Sequence, residues 1–310
     1  MDDVKSTVTA PSALRQSLGR YGIRSIALRL TNPARRPELA DAVRELEDIG
    51  YRTVWLGASP SMRHARMVLE ESARLVVATS IQTIWEQDPA DAAKEFAALE
   101  AAHPGRFLLG LGVAHAATTG RYLRPYSAMA HYLDALDAGG QPPQRRLLAS
   151  LGPKMLELAR DRSAGSIPYL ATAQHTAQAR EVLGDGPLLA PEVKVLLETD
   201  PDRARTLARL SLSTYLTIPN YANNLLRLGF TEGDLAGGGS DQLIDALVAW
   251  GDEERVKRRL DEFFAAGADH VAIQVIHENP LSVRFVLDGQ PLEPRLREGW
   301  RRLGAALLGS

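Results

Sequence analysis

The 310-residue chain has no cysteine. Disulfides, thiolate metal sites and cysteine nucleophiles are excluded, and a reducing compartment is compatible. It also lacks any apolar run near the ~20 residues needed to cross a bilayer. The stretch from Met1 to Ser17 lacks the basic start and apolar core of a signal peptide. It reads as a loose tail ahead of one barrel domain spanning 18–310, in a cytoplasmic protein. No charge dominates: 36 basic residues face 38 acidic ones, interspersed, for a net charge of −2. Nothing in that balance suggests a nucleic-acid surface or a polybasic membrane arm, and neither partner is expected. The seven histidines form no ligand pair, so no metal is expected. A Gly-x-Ser-x-Gly elbow is absent, and with it that route to hydrolysis.

What is present is a rhythm. Short β-branched runs alternate with segments of helical period. The runs are Ile23–Leu30, Thr53–Leu56, Leu75–Ile81, Phe107–Val113, Arg146–Ser150, Ile167–Ala171, Val193–Glu198 and His270–Ile276. Between the first two, Leu39, Val43, Leu46 and Ile49 recur at spacings of three and four, which places them on one helix face. Asp88-Pro89 and Asp200-Pro201 read as helix N-caps followed by proline in the first turn. Residues 213–250 break the rhythm with extra helical segments and the triplet Gly237–Gly239. Eight strands alternating with helices predict an α/β fold, a (β/α)8 TIM barrel, with a helical insertion before the last strand. An open doubly wound sheet is disfavoured because no Gly-x-Gly-x-x-Gly turn follows the first strand.

In such barrels the site lies where strands end. The third run ends in Thr79-Ser80-Ile81 and leads to Trp85; the fourth ends in Gly112-Val113-Ala114-His115; the fifth leads through Ala149 to Gly152-Pro153-Lys154-Met155. A Gly-Pro turn opening a helix offers backbone amides at a positive helix end, from Gly152, Lys154 and Met155, and such an end binds phosphate. Equally, it can be no more than a tight turn. His115 suits proton donation or a carbonyl contact, or a structural hydrogen bond. Trp85 can wall a ring or pack on the rim. Lys194 falls near the start of the seventh run, the wrong end for a Schiff base.

At these residues the chain resembles a known family. Val76–Trp85 with Asp88-Pro89, then Gly105-Arg106-Phe107-Leu108-Leu109-Gly110-Leu111-Gly112-Val113-Ala114-His115, are similar to the luciferase-like monooxygenases. The likeness is strongest to an actinobacterial branch of oxidoreductases using the deazaflavin coenzyme F420. Leu148–Leu156, Pro219–Leu225 and Ala266–Val271 support it. The resemblance implies hydride transfer between F420 and a small organic substrate, in a homodimer. It implies ring contacts from Thr79, Ser80, Ile81, Trp85, Gly112 and Ala149, a cis Ser80–Ile81 bond, phosphate contacts from Gly152, Lys154 and Met155, and a catalytic His115. Arg145 and Arg146 are candidates for the anionic tail of F420. FMN with monooxygenase chemistry is the alternative. A cofactor-free binding barrel is the third reading, because Arg24 and Ala114 stand where the branch tends to carry tryptophan and serine.

Overall fold

The computed structural model describes residues 11–30, 32–114, 124–277 and 292–309. Its strands are all parallel, as βαβ units require. The first five staves are Tyr21–Ser25, Thr53–Gly57, Val76–Ser80 (extended by Gln82–Thr83), Phe107–Gly112 and Arg146–Leu148, each bonded to the next. Gly165–Ser166 is the sixth. The seventh is made of Leu188–Leu189 and Glu192–Leu196, and Val271–Val275 is the eighth.

The seventh stave closes the ring. On one flank Leu188, Ala190 and Glu192 donate their amides to Ala164, Ser166 and Pro168. On the other, Leu189 and Pro191 accept from Asp269 and Ala272. Beyond Glu192 the first flank is taken over by Val248–Trp250, a short strand supplied by the insertion. The insertion otherwise comprises the helices Pro219–Arg227, Glu232–Leu235 and Asp241–Leu247.

Alternation along the strands sorts the side chains into two cores. Ile23, Val54, Leu56, Val77, Leu109 and Ile273 face outward under the helices. Trp55, Ala78, Leu108, Leu147 and Ala272 face inward. The helix Pro11–Leu18 plugs the floor of this inner core with Leu14 and Leu18, and Leu18 is wholly buried. His270 completes the floor. Its Nε2 accepts from Trp55 Nε1 (2.9 Å) and its Nδ1 donates to the Gly19 carbonyl (2.8 Å). Burial there pushes its pKa down to about 4.

Several expectations need correction. The part of the expected tail that is described, residues 11–17, belongs to the packed floor helix; residues 1–10 lie outside the described residues. The first strand spans Tyr21–Ser25 rather than 23–30, because the Ser25 side chain accepts from the Ala27 amide and Arg29 bonds back to Ile26 in a turn. Leu28 and Leu30 are buried in the outer core without being strand. The sixth run lies earlier, at Gly165–Ser166. Pro168 cannot donate to a ladder, and Leu170 adopts a left-handed φ of 52°. The helix read at Met129–Leu136 extends over Pro125–Ala138. Among the described residues no helix is long and apolar enough to cross a membrane.

The floor helix can be tested directly. Leu18→Ala is expected to destabilise the protein by about 3 kcal/mol in urea unfolding, the cost of a cavity at a fully buried leucine. A loose tail would give no change.

Candidate active site at the barrel mouth

The carboxyl ends of the strands surround a cavity of about 350 Å³. This size suits small-molecule sites. Ser80, Ile81, Gly112 and Ala149 wall one side, and Arg24, Tyr169, Glu192, Tyr215 and Tyr221 wall another. Among the described residues, four other than glycine take a left-handed backbone: Ala58, Ser59, Ala114 and Leu170. All four follow strands at this end of the barrel, and the first three line the cavity. Such conformations cost ~1–2 kcal/mol each and cluster where function demands a backbone path.

Glycines shape both walls by omission. A Cβ on Gly112 would sit 2.6 Å from Ile81 Cδ1, so the isoleucine lies flat against bare backbone. A Cβ on Gly57 would overlap Arg24 Cζ, so the guanidinium crosses the second strand there.

The inner surface at this level is ionic, unlike the branched aliphatic layers usual in barrels. Arg24 Nε lies 3.1 Å from Glu192 Oε2, and both side chains are only 5% exposed. Lys194, two residues further along the same stave, is 2% exposed and donates to Gln274 Oε1 (2.7 Å). Register sets this pair, since Gln274 and Lys194 are direct partners between the eighth and seventh staves. Tyr169, Tyr215 and Tyr221 meet edge to face, with centroids 5.3–5.8 Å apart. The Lys194 ammonium stands 5.2 Å and 5.4 Å from the Tyr169 and Tyr215 rings, and Arg24 stands 5.3 Å from Tyr169.

Burial dominates the electrostatics. It pushes the Glu192 carboxyl up, although Arg24 and Lys194 pull it down. It pushes the Lys194 ammonium down to about 7, against the attraction of Glu192 and with help from Arg24. It pushes the Tyr169 and Tyr221 hydroxyls up, so both stay neutral. Burial also opposes the charge of Arg24, but Glu192 and the tyrosine oxygens outweigh it, and the group stays cationic.

The residues expected to form the site fare unequally. Ser80, Ile81, Gly112 and Ala149 line the cavity, and the Ser80–Ile81 bond is cis. Thr79 lies beneath it, fully buried. Its hydroxyl donates to the Gly110 carbonyl and accepts from the Gly110 amide (both 2.8 Å), tying the third stave to the fourth. Trp85 packs against the outer core and donates Nε1 to the Val113 carbonyl (2.6 Å), outside the cavity lining. His115 lies outside the described residues.

Gly152 caps the helix Pro153–Arg162. Lys154 is exposed there, and its first-turn amide has no intrahelical acceptor. The Met155 amide, by contrast, already donates to the Gly152 carbonyl (3.1 Å). The insertion brings Arg227 to this turn. Its Nη2 lies 3.8 Å from where a Gly152 Cβ would stand and donates to Asn224 Oδ1 (3.1 Å). Arg145 and Arg146 are not at the mouth. They begin the fifth stave at its amino end, where both are buried; Arg145 donates to the Phe107 carbonyl and Arg146 to Asp137.

Sequence reasoning missed Arg24 as a cavity wall, along with Glu192, Tyr169, Tyr215 and Tyr221. It also placed Lys194 at the wrong end. The stave starts at Leu188, six residues earlier, so Lys194 lies well along it, beneath the mouth. Polar residues at alternate positions of the last two runs, Glu192, Lys194 and Gln274, were the available signal.

Comparisons with known proteins agree with this architecture. Residues 23–139 match the family model of luciferase-like monooxygenases. No curated protein matches the sequence. Among solved structures, the coenzyme F420-dependent tetrahydromethanopterin reductase from Methanopyrus kandleri has a TM-score of 0.70 at 15% identity, with 93% of this chain and 98% of that one covered. An F420-dependent secondary alcohol dehydrogenase, solved with an F420-acetone adduct, has 0.68 at 12%, with the same coverage. The oxygenating constituent of 3,6-diketocamphane monooxygenase from Pseudomonas putida, in complex with FMN, has 0.61 at 13%, covering 92% and 95%. Residues 23–139 are thus similar in sequence to the luciferase-like monooxygenases, and nearly the whole chain shares the (β/α)8 barrel fold of these structures.

Two outcomes follow. Ala114→Gly relieves a left-handed φ of 50° and should stabilise the protein by about 1 kcal/mol in thermal unfolding. Lys194 has a depressed pKa, so it costs stability progressively as pH falls from the ordinary lysine value of 10.5 towards 7, where the unfolded chain takes up a proton that the folded one refuses. In carbon-13 NMR of the five lysines, one side chain should titrate near pH 7, and that titration should vanish in Lys194→Met.

Proposed function

We propose that this protein is an oxidoreductase that holds coenzyme F420 at the barrel mouth and passes a hydride between it and a small organic substrate. The observation carrying this reading is the walled cavity there, lined by the buried Arg24–Glu192 pair and the half-buried Tyr169, with Arg24 Nη1 and the Tyr169 hydroxyl making no hydrogen bond among the described residues. Unsatisfied buried donors of this kind cost ~1–3 kcal/mol each and call for a ligand. The residues present fit the group. Ile81, flat against Gly112, offers a shelf for a conjugated ring, with Ser80 and Ala149 beside it. Gly152, Lys154 and Arg227 offer amides and positive charge for a phosphate. When bound, the deazaflavin supplies two-electron hydride chemistry.

The protein's own part is to align the ring and substrate, exclude water and manage a proton. His115 is our candidate for the proton donor or carbonyl contact. Trp85 and Thr79 support the shelf from outside and below, without touching the cavity. The same reading carries the homodimer that the resemblance implies.

FMN, with monooxygenase chemistry, is the second reading. One observation favours it: Arg145 and Arg146, the expected partners for an anionic tail, are buried at the opposite end.

Titration of the purified chain with F420 and with FMN, followed by fluorescence quenching, separates these readings. Micromolar binding of F420 is expected. Binding of FMN alone would exchange the first reading for the second, and binding of neither would leave a cofactor-free barrel. Gly152→Asp should abolish binding. Gly152 has an ordinary φ of −91° and room around its Cβ position, so the fold tolerates the change while the new carboxylate meets Arg227 and repels phosphate. Unchanged affinity would remove this turn from the site.

A further inference from the structure

We propose that the mouth cavity selects substrates bearing a carboxylate on an apolar or aromatic body, and that Arg24 is the group that binds this carboxylate. The inference rests on reading the cavity as a substrate site, and not on which cofactor accompanies it.

Gly57 leaves the space that the guanidinium fills, so the fold has made room for a cation in the cavity wall. That cation is poorly served by the protein. Glu192 stands beside it, but Arg24 Nε and Nη1 make no hydrogen bond among the described residues, and neither does Glu192 Oε1 or the Tyr169 hydroxyl. An ion pair kept for stability would be bidentate and saturated, because desolvating two charges otherwise costs more than their attraction returns. Here the carboxylate stands at Nε and holds the guanidinium in place, while Nη1 makes no hydrogen bond among the described residues.

The charge count points the same way. Arg24 stays cationic, Lys194 gains its proton as pH falls to about 7, one carboxylate, Glu192, stands with them, and Tyr169 and Tyr221 are neutral. The nearest further acid in the lining, Glu86, is exposed at the rim and already accepts from Ser59 (2.9 Å). With Lys194 protonated, one monoanionic group would balance the buried cluster. Ile81, Val113, Ala149, Ile167 and the tyrosine faces form an apolar part of the wall, beside Ser59, Ser80, Thr83 and Asn220, and that part suits an apolar body. The open acceptor at Glu192 Oε1 suits a hydroxyl on the same molecule.

The full-length chain without added cofactor is titrated calorimetrically with benzoate and, separately, with its neutral analogue benzamide. Benzoate should bind at least tenfold more tightly. Arg24→Met should weaken benzoate at least tenfold and leave benzamide unchanged. Should that variant fail to fold, Arg24→Met combined with Glu192→Met removes both charges and should show the same loss. Glu192→Gln keeps the shape and withdraws the competing charge, so it should tighten benzoate several-fold; a purely structural pair would predict weakening or no change. Equal affinity for the two probes, or benzoate binding indifferent to Arg24, overturns the proposal. So does benzoate binding that survives Arg24→Met and disappears in Gly152→Asp, since the anion then sits at the helix turn. Benzoate binding by a chain that takes neither F420 nor FMN sinks the oxidoreductase reading alone.

Discussion

Closure of the barrel through residues 188–196 is the constraint on which the other features depend. The segment is bonded to the sixth stave on one flank and to the eighth on the other, and the ring is complete only because it serves both. On the first flank its partner changes after Glu192. Past that point the sixth stave has turned away at Pro168, and a strand of the insertion takes its place. The insertion is therefore part of the wall rather than an appendage. Its first helix carries Tyr221 to the cavity and Arg227 to the Gly152 turn.

The same segment carries the charges. Glu192 and Lys194 alternate inward on it, which sets a carboxylate and an ammonium inside a barrel whose lower half is apolar. Ionic groups in such a place are expensive, and a packed aliphatic layer would give a more stable protein. They persist with Arg24, Gln274 and three tyrosines around them and with donors still open. The left-handed residues Ala58, Ser59 and Ala114 surround the same space. Cost of this kind, concentrated at one end while the floor is closed by Leu18, Trp55 and a fully bonded His270, marks the working face on physical grounds alone.

Much of this was legible beforehand. The eight alternating units and the irregular stretch before the last strand follow from local patterns, and the barrel rule places Ser80, Ile81 and Gly112 at the carboxyl ends of their strands. What escaped was set by register and by distance along the chain. Arg24 looked like a departure from a family pattern, and only its position across Gly57, 3.1 Å from a carboxylate 168 residues later, makes it a wall of the cavity. Arg145 and Arg146 looked suited to an anionic tail, but a strand has two ends, and theirs faces away. Met155 looked like a free amide until its bond to Gly152 was seen.

By itself the sequence determined the succession of strands and helices, because periodicity and capping act over a few residues. It therefore determined a parallel barrel, and through that the end at which chemistry belongs. Only the tertiary structure decided which side chains share that end. Whether Glu192 and Lys194 point inward depends on where their stave begins, and whether Arg24 meets them depends on how eight staves are staggered around a closed ring. Those are properties of the whole circle of hydrogen bonds, and no window of sequence contains them.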